Sequence, residues 1–510
     1  MTSRMIAFVT LAGLSLLSGC GGGGNSPAPG LTNPSQPPST NTISGTVQFK
    51  GAPLAGATVT LWLTNTNTVE NTAITGADGR YSFSGLSAWG NVTAVYQLWA
   101  GKPGYGFYPS VGSGAKVMRF DHTGNYRGNG LTDTAIYLTV IQFDSLPNGS
   151  LTGANFNAYD GSNPLVRLPS TGQATAYVSG DDASAAKGTA WPVARFTSNT
   201  DGTVTDNLTG LVWLKDAGCL TPAIFATALT EVNQLATGSC GLTDGSKPGD
   251  WRLPNINELE SLIDVSASDP ALSPGHPFTN VSNAIYWSST SYFGGQAGSP
   301  SAWDIRLSDG RYMNDSGSNI KATNANAVWA VRGSGGGVIQ PQSTGQYVTY
   351  AKGDDGSFQA GVPPTFERWI DNGNGTITDT VTGLIWLKKA DCIVDNWSSA
   401  IQAVNHLASG QCGLTDGSAA GSWRMPNRNE MQSLSDRMES NHADFFNATY
   451  LNWDGTLFRS PIFTNFMVSQ FYWTSTTDAA DTSEAWTVFS CDYGVYDIPK
   501  ANSGYTLAVR

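Results

Sequence analysis

An internal duplication constrains this 510-residue chain more than any other feature of its sequence. The stretch from Thr171 to Gly333 and the stretch from Thr344 to Arg510 contain the same short strings in the same order. Both begin with TGQ and GDD, continue through DGTVTDNLTGLVWLK or NGTITDTVTGLIWLK and then CGLTDGS, and close on AVR. Solenoid repeats are roughly 20–50 residues long, whereas each copy here has the size of a domain. The duplication therefore predicts two modules, residues 171–333 and 344–510, joined by a linker at 334–343, and we expect each to be an autonomous unit.

Composition favours strands and irregular loops over long helices. Charged residues make up only 13% of the chain, while glycine is abundant and aromatic residues reach 11%. The formal net charge of −12 argues against general electrostatic binding to nucleic acid, and no polybasic segment occurs. We therefore expect no nucleic-acid partner.

The first 42 residues predict export and a membrane tether. An apolar run from Met5 to Leu17 follows Arg4 and is too short for a permanent membrane span, which is typical of a signal peptide. It ends in Leu-Ser-Gly-Cys, which resembles the lipobox of bacterial lipoproteins and implies a lipid-modified Cys20 after a signal peptide at 1–20. An ordinary signal peptide with a chance cysteine is the alternative. Residues 21–42 are almost free of apolar side chains and predict a disordered tether, so we expect a lipid-anchored protein of the bacterial cell envelope, at the outer membrane or cell surface.

Residues 43–143 predict an all-β domain. Apolar and polar residues alternate over Ile43–Phe49 and Ala57–Leu63, and Asp78-Gly79 predicts a tight hairpin turn. The order GTV, PLAGATVTL and ADGRYSFSGL resembles the carboxypeptidase-regulatory-like β-sandwich, which implies a spacer or adaptor domain. Residues 144–170 are rich in Asn, Gly, Ser and Pro and predict a linker or a covering loop.

Two helices are predicted in each module. The first begins at Thr221 and stops at Gly238, and its counterpart runs from Asn396 to Gly410. The second begins at Asn255 with Glu258 completing a capping box, and Asn427 and Glu430 repeat this pattern. Short strands follow, so the module is expected to be α+β.

The shared strings TGL.W.K, WR(L/M)PN, YW(S/T)ST and AVR resemble the Lcl C-terminal domain family over nearly the whole of both modules. The resemblance implies a C-type lectin-like fold in a bacterial surface protein. The fold class expected for the chain is therefore multidomain, with an N-terminal all-β sandwich followed by two tandem α+β C-type lectin-like modules. In the adhesin that names the family this domain serves attachment and glycosaminoglycan binding, but the Gly-X-Y repeat of that adhesin is absent here, which leaves the ligand open.

Four of the six cysteines occupy matching places in the two copies. Cys219 with Cys240 and Cys392 with Cys412 bracket the first predicted helix of each module in an exported chain, which favours one disulfide per module provided that the chain doubles back. Zinc is disfavoured because no further ligand lies at the required spacing, and we expect no metal or cofactor. Cys491 has no counterpart, and either a buried free thiol or a reactive one fits the sequence.

The Trp-Arg-(Leu/Met)-Pro-Asn segment is the strongest candidate for a shared site, but a packing role fits it better. Tryptophan and arginine are favoured at binding surfaces. Here they precede a helix start, where the ring can pack the helix on the sheet and the arginine can hold a buried carboxylate such as Asp206 or Asp379. The residues assigned to this structural motif are Trp251, Arg252, Pro254, Asn255 and Glu258, with Trp423, Arg424, Pro426, Asn427 and Glu430 in the second copy.

No catalytic constellation can be identified. His276 lies in a Pro-Gly-His-Pro loop without a recognisable relay partner, and Asp371–Gly375 resembles a calcium loop only faintly and is interpreted as a hairpin turn. We therefore expect an adhesive or ligand-binding surface protein whose modules bind a glycan or a protein, and an enzyme is less favoured. The modules contain 9 basic against 15 acidic residues and 10 against 18, which favours aromatic stacking on neutral sugars over binding of sulfated ones. An extracytoplasmic enzyme acting on envelope polymers and a purely structural envelope protein are the alternatives.

Overall fold

A computed structural model gives the architecture of most of the chain after the predicted tether. It describes residues 41–49, 52–63, 68–86, 96–102, 106–111, 116–120, 138–143, 150–152, 154–159, 166–292, 300–313, 320–333, 336–346, 349–362, 368–435, 437, 442–447, 450–451, 457–459 and 461–510. Cys20 and most of the predicted tether lie outside these residues. None of the helices in the described part combines the length and the apolar character that a membrane span requires.

The N-terminal domain is a β-sandwich, as the alternating pattern predicts. One sheet has the order β10-β1-β11-β7, with β2 and β5 also paired to β1, and the other has the order β4-β3-β6-β9-β8. Ile43, Val47, Val59, Leu61 and Phe83 are among the buried side chains of its core. The strands are β1 Asn41–Phe49, β2 Ala52–Pro53, β3 Thr58–Leu63, β4 Thr68–Ile74, β5 Arg80–Leu86, β6 Tyr96–Gly101, β7 Gly106–Val111, β8 Lys116–Phe120, β9 Leu138–Phe143, β10 Ser150–Thr152 and β11 Ala154–Tyr159.

Two predictions for this domain are wrong. The segment 144–170 is not a free linker, because β10 and β11 both pair in parallel with β1 and so complete the sandwich. The turn at Asp78-Gly79 does not close a hairpin. It joins β4, which pairs with β3, to β5, which pairs with β1, and thus carries the chain from one sheet to the other.

Module 1 packs two helices against short antiparallel sheets. One sheet has the order β12-β13-β14-β18 and the other β15-β16-β17. The module also contains a short helix, α1, near its start. Its elements are α1 Asp182–Ala185, β12 Phe196–Ser198, β13 Thr203–Asp206, β14 Val212–Leu214, α2 Phe225–Gln234, α3 Ile256–Glu260, β15 Ile285–Ser291, β16 Ala302–Arg306, β17 Arg311–Met313 and β18 Val331–Arg332.

Module 2 repeats this plan with a larger sheet. Its sheets have the orders β19-β20-β21, β22-β28-β25-β26-β27 and β23-β24. Its elements are α4 Asp355–Phe358, β19 Trp369–Asp371, β20 Thr376–Asp379, β21 Ile385–Leu387, β22 Ile393–Asp395, α5 Trp397–Asn405, α6 Arg428–Ser433, α7 His442–Asn447, β23 Tyr450–Leu451, β24 Leu457–Arg459, β25 Phe471–Thr477, β26 Glu484–Phe489, β27 Val495–Pro499 and β28 Gly504–Thr506.

Helix starts follow the capping chemistry where it is present. Asn255 and Asn427 each form the predicted capping box at the start of α3 and α6, and the side chain of Asn396 caps α5. The predicted start of α2 at Thr221 is wrong. Ala223 forms an antiparallel bridge with Asn326, which keeps this backbone extended, so the helix begins only at Phe225.

The modules are not autonomous, because each is completed by the first segment of the other. We name residues 171–186 arm 1 and residues 344–359 arm 2. The Asp182 carboxylate in arm 1 accepts a hydrogen bond from Thr476 in β25 of module 2 at 2.7 Å. The Asp355 carboxylate in arm 2 accepts one from Thr290 in β15 of module 1 at 2.8 Å. The two copies have therefore exchanged their first segments.

A common interior also joins the modules. One cluster of buried apolar side chains includes Trp303 and Tyr312 of module 1 together with Met431 and Trp486 of module 2. Residues 336–343 of the predicted linker are packed as well, since Ile339 is buried and its N–H donates to the Leu208 carbonyl of module 1. The expectation of two separable units is therefore replaced by one interlocked pair.

Two buried arginines of module 2 reinforce this junction. Arg428 and Arg437 are almost fully buried, and their guanidinium groups lie 5.7 and 4.8 Å from the centre of the Tyr312 ring of module 1. Arg428 donates a hydrogen bond to the Gly310 carbonyl, and Arg437 forms an ion pair with Glu260 at 3.7 Å. Because a buried cation needs such partners, module 2 depends on groups that module 1 supplies.

Candidate functional site

The Trp-Arg-Pro-Asn segments are structural in both modules. Trp251 and Trp423 are buried, and the carbonyls of Pro254 and Pro426 accept hydrogen bonds from Ser289 and Ser475 in the neighbouring strands. Each segment thus fixes the start of a helix against a strand. This arrangement agrees with the packing interpretation and not with an exposed site.

The arginines of these segments bind a different carboxylate from the one expected. Arg252 makes two hydrogen bonds to Glu258, of 2.6 and 2.5 Å, and Arg424 makes two of 2.5 Å to Glu430. The predicted partners Asp206 and Asp379 belong to other arginines, since Asp206 faces Arg195 and Asp379 is held by Arg368. The capping glutamate is closer because it lies in the helix that the arginine precedes.

The disulfides are formed as predicted. The Cα atoms of Cys219 and Cys240 are 5.7 Å apart, as are those of Cys392 and Cys412, and both pairs are bonded. Cys491 is a free, partly buried thiol whose Sγ lies 3.3 Å from the Ser469 hydroxyl.

The next turn of the same two helices lines a cleft between the modules. In α3 the Asn257 side chain donates to the Gln342 carbonyl at 2.8 Å, and in α6 the matching Asn429 donates to the Pro169 carbonyl at 3.1 Å. Each asparagine thus fixes the strand-like segment that leads into one of the arms. We name the space between these helices and segments the axial cleft, because equivalent residues of the two modules form its opposite walls.

The axial cleft is small and has a mixed apolar and polar lining. Its cavity volume is about 70 Å³, below the roughly 300–1,000 Å³ of pockets for drug-sized ligands, so it has room for one small group of a ligand. Its apolar walls are contributed by Val166, Leu168, Trp191, Ile263 and Ile339. Such a cleft at the junction of two packed units is a common location for ligand binding.

Three polar atoms at the axial cleft have no hydrogen-bond partner among the described protein atoms. They are Glu260 Oε1, Gln342 Oε1 and Gln432 Nε2, two acceptors and one donor. The glutamine residues retain only 8% and 5% of their exposure, so these amides are largely withdrawn from solvent. Burial raises the pKa of Glu260, although Arg437 and Arg428 oppose the shift. Buried polar groups in native proteins are normally paired, so these three atoms are candidates for pairing with a bound ligand or with water.

Trp191 separates the axial cleft from a second cleft in module 1. Its indole N–H donates to the Ser170 carbonyl at 2.9 Å, and the Arg195 guanidinium lies 4.1 Å from its ring centre. The ring orientation is therefore fixed before any ligand arrives. The second cleft is lined by Arg195, Asp264 and the loop 273–277 as well as by Trp191.

His276 lies in this second cleft without a relay partner. Desolvation lowers the pKa of His276 below its usual value. Its Nδ1 and the Ser273 hydroxyl are both unpaired within the described protein atoms, so they are not bonded to each other. Among the described residues, His276 therefore has no hydrogen-bonded relay partner at Nδ1.

Two further sets of carboxylates lie outside the axial cleft. Asp371 belongs to the β19–β20 hairpin, as interpreted from the sequence, and pairs with Lys388 at 2.5 Å, which lowers the pKa of Asp371. Asp478, Glu484 and Asp497 place carboxylate oxygens within 4.8 Å of one another, and the neighbouring Asp497 raises the pKa of Glu484 to about 7. Arg311 of module 1 pairs with Asp497, so a cation already lies at this cluster.

Sequence reasoning missed the axial cleft. Asn257 and Asn429 are shared between the copies and follow the recognised segment by two positions, which was a usable signal. Glu260 is replaced by Gln432 in the second copy, so the sequence did not indicate that these two side chains line the same cleft. Glu260 is also the only carboxylate among the described residues that line the cleft, so a two-carboxylate hydrolytic mechanism lacks its second group there.

Comparison with known families places both halves of the C-terminal region. A model described as the Lcl C-terminal domain matches residues 202–332 and again residues 375–510, which together exceed half of the chain. A model described as the carboxypeptidase regulatory-like domain matches residues 42–106 in the sandwich. No curated protein matches the chain.

Proposed function

The chain belongs to the Lcl C-terminal domain family, and from that premise we propose that it is a lipid-anchored protein of the bacterial cell surface that binds a neutral glycan in the axial cleft. The two matched modules and the regulatory-like sandwich before them suggest an extracellular or surface protein. The anchor and the ligand are the steps that need separate tests.

The anchor rests on the N-terminal sequence. Cys20 follows a short apolar segment and the string Leu-Ser-Gly, and lipid chains contribute about 0.8 kcal/mol per buried CH2 to membrane binding. Cys20→Ser should therefore move the protein from the membrane fraction to the soluble fraction, and mass spectrometry of the wild-type N-terminal peptide should find an acylated cysteine. An unmodified N-terminus in the membrane-bound wild type contradicts the anchor and leaves the glycan proposal intact.

The chemistry of the axial cleft supports a sugar. Gln342, Gln432 and Glu260 all line the axial cleft and carry unpaired acceptors and a donor, and sugar hydroxyls can both donate to such acceptors and accept from such a donor. Trp191 adds an aromatic wall for the apolar face of a sugar ring. The presence of these unpaired polar groups beside an aromatic wall is the observation that carries the proposal.

Charge favours a neutral ligand. The chain carries a net charge of −12, and the axial cleft is lined by one acidic and one basic side chain, Glu260 and Arg167, so its lining is not a basic patch. Sulfated polysaccharides bind largely by neutralisation of their charge, as other polyanions do. A neutral glycan can bond to the side-chain amides and pack on the indole ring without electrostatic repulsion from the negative net charge of the chain.

Binding of the full chain to an array of neutral and sulfated glycans tests the proposal. We expect binding to neutral glycans, with a loss of at least tenfold in affinity for Trp191→Ala and for Gln432→Leu. The matched control is Val193→Ala, because Val193 is fully exposed, lies two residues from Trp191 and lines only the second cleft. An array without any signal, or equal losses in all three variants, overturns the assignment. A signal confined to protein ligands does so as well.

A further inference from the structure

We propose that arm 1 and its groove on module 2 form an exchangeable interface through which a second copy of this chain binds. The groove is defined by the end of β25 at Thr476 and Thr477 together with Gln402 and Lys500. In the monomer, the groove is occupied by arm 1 of the same molecule. The partner is a second copy of the chain, which donates its own arm 1 to the groove.

Arm 1 is recognised by a specific set of contacts. The Asp182 carboxylate accepts from Thr476, and the Gln173 side-chain oxygen accepts from the backbone N–H of Thr477 at 2.7 Å. The Lys500 ammonium lies 4.6 Å from the centre of the Tyr177 ring. The groove thus contacts an amide, an aromatic ring and a carboxylate that follow one another along arm 1, as a peptide-binding groove contacts successive side chains of a peptide.

Close backbone approach adds to this recognition. The Ser179 carbonyl accepts from Gln402 at 3.3 Å, and a Cβ built on Gly180 would stand 2.2 Å from the Asn405 amide nitrogen. A side chain at position 180 would therefore require the Asn405 side chain of module 2 to move. The match between arm and groove is steric as well as chemical.

Arm 2 repeats the carboxylate, amide and aromatic contacts of arm 1 in module 1, so the docking arrangement occurs twice in the chain. The Gln346 oxygen accepts from the backbone N–H of Ser291, and the Lys321 ammonium lies 5.2 Å from the Tyr350 ring. The difference lies in connectivity. Arm 2 follows module 1 directly in the chain, whereas arm 1 begins module 1 and binds Thr476 of module 2, 294 positions after Asp182.

This connectivity permits exchange between molecules. When arm 1 leaves its groove, the same molecule exposes both a free arm and the groove that fits it. Two such molecules can pair reciprocally with the same contacts, and exchange of identical elements is a low-cost route to a closed two-fold dimer. Intramolecular docking is favoured in dilute solution because the arm is tethered, so exchange requires either high local concentration or one defective arm.

Complementation between two full-length variants tests the proposal. The arm variant carries Gly180→Ala and Asp182→Ala and keeps an intact groove. The groove variant carries Thr476→Val and Lys500→Met and keeps an intact arm. We expect each to sediment as a monomer alone and the equimolar mixture to contain a heterodimer of twice the chain mass. Heterodimer formation should fall at least tenfold when the groove variant also carries Asp182→Ala.

Folding controls separate loss of binding from loss of structure. Circular dichroism and intact disulfides verify that each variant is folded, and where a variant does not fold, a labelled peptide of residues 168–188 is titrated onto the other one. Folded variants that stay monomeric in the mixture, or a peptide that binds the groove variant as tightly as the arm variant, overturn the proposal. Dimers of the arm variant alone also overturn it, because they would form without a competent arm.

Discussion

Buried ionic groups determine the local structure of this protein at the scale of single residues. Arg252 and Arg424 each hold the glutamate that caps the following helix, so one ion pair fixes both the helix start and the strand before it. Removing one partner of a buried pair leaves an uncompensated charge, whereas removing an exposed charge changes little. The position of the charge, more than its presence, sets its energetic effect.

Loss of the Arg252 side chain should therefore destabilise the modules. Arg252→Met leaves Glu258 buried without its partner, and we expect a loss of about 3–5 kcal/mol in the free energy of unfolding. Chemical denaturation monitored by tryptophan fluorescence measures it. Lys247→Met, at an exposed position of the same module, is the control and should shift stability by less than about 0.5 kcal/mol. Equal effects of the two substitutions would refute the structural role of Arg252.

The buried carboxylate of Asp355 should make stability depend on pH. Burial raises its pKa to about 7, while Thr344 and Thr290 donate hydrogen bonds that oppose the shift. The folded state therefore holds a proton that the unfolded state has released, so this group costs stability as pH rises from about 4 to 7 and the cost is complete above that range. In Asp355→Asn this contribution is absent. The stability of the wild type relative to the variant should fall over this interval, and a constant difference from pH 4 to 8 would contradict the prediction.

At the scale of elements, the helices depend on cross-links and caps more than on length. The first helix of each module is bracketed by a disulfide, with 20 residues of separation between Cys392 and Cys412. The second helices have capping boxes but only one or two turns. Helices this short are marginal in isolation, so their contacts and constraints decide whether they form.

Removal of one disulfide should measure its constraint on the unfolded chain. Cys392→Ser with Cys412→Ser opens a loop of about 20 residues, for which the chain-entropy model gives about 3 kcal/mol. We expect a loss of that order in the denaturant-derived free energy of unfolding. Cys491→Ser serves as the control because this thiol forms no disulfide. A double variant as stable as this control contradicts the prediction.

The two arms offer a matched pair for testing contact against backbone strain. Gly180 and Gly353 occupy equivalent positions with φ of 89° and 87°, so an alanine is strained equally in both. A Cβ at Gly180 meets module 2, whereas nothing lies within 4 Å of one at Gly353. Gly180→Ala should therefore lose about 1–3 kcal/mol more than Gly353→Ala, as measured by denaturation. Equal losses would show that arm 1 does not pack as described.

At the scale of the whole molecule, the modules behave as one body because their apolar interiors and their arms are shared. Trp303 and Tyr312 of module 1 lie in the same buried cluster as Trp486 of module 2. Arg428 and Arg437 would be uncompensated if module 2 were separated from the rings and carbonyls of module 1. Separation of the modules would therefore cost hydrophobic burial and expose unsatisfied groups together.

Unfolding of the two modules should consequently be coupled. Arg252→Met in module 1 should lower the hydrogen-exchange protection of β26 in module 2 by the same free energy as that of β16 in module 1. Native-state exchange read by mass spectrometry resolves both strands. Unchanged protection in β26 alongside reduced protection in β16 would show two independent units.

Local chemistry was readable from the sequence at particular residues. The capping boxes were predicted from Asn255 with Glu258 and from Asn427 with Glu430, and the disulfides from the duplicated cysteines. These interactions join near neighbours or matched positions in the chain. The start of α2 was wrong since Ala223 is held by Asn326, about a hundred positions later. The partner of Arg252 was wrong because two carboxylates of similar type competed for it and only proximity decides between them.

The sequence by itself determined that two like modules follow a β-sandwich, since repeated strings, alternating apolar residues and helix caps act within short stretches of chain. Tertiary structure alone decided that the modules exchange their arms, share an interior and enclose the axial cleft. These features depend on residues such as Asp182 and Thr476 that lie hundreds of positions apart. The TGQ and GDD strings are compatible with an arm that docks on its own module and with one that docks on the other. A local pattern specifies which groups must be paired, but it does not specify which of two equivalent partners pairs with them.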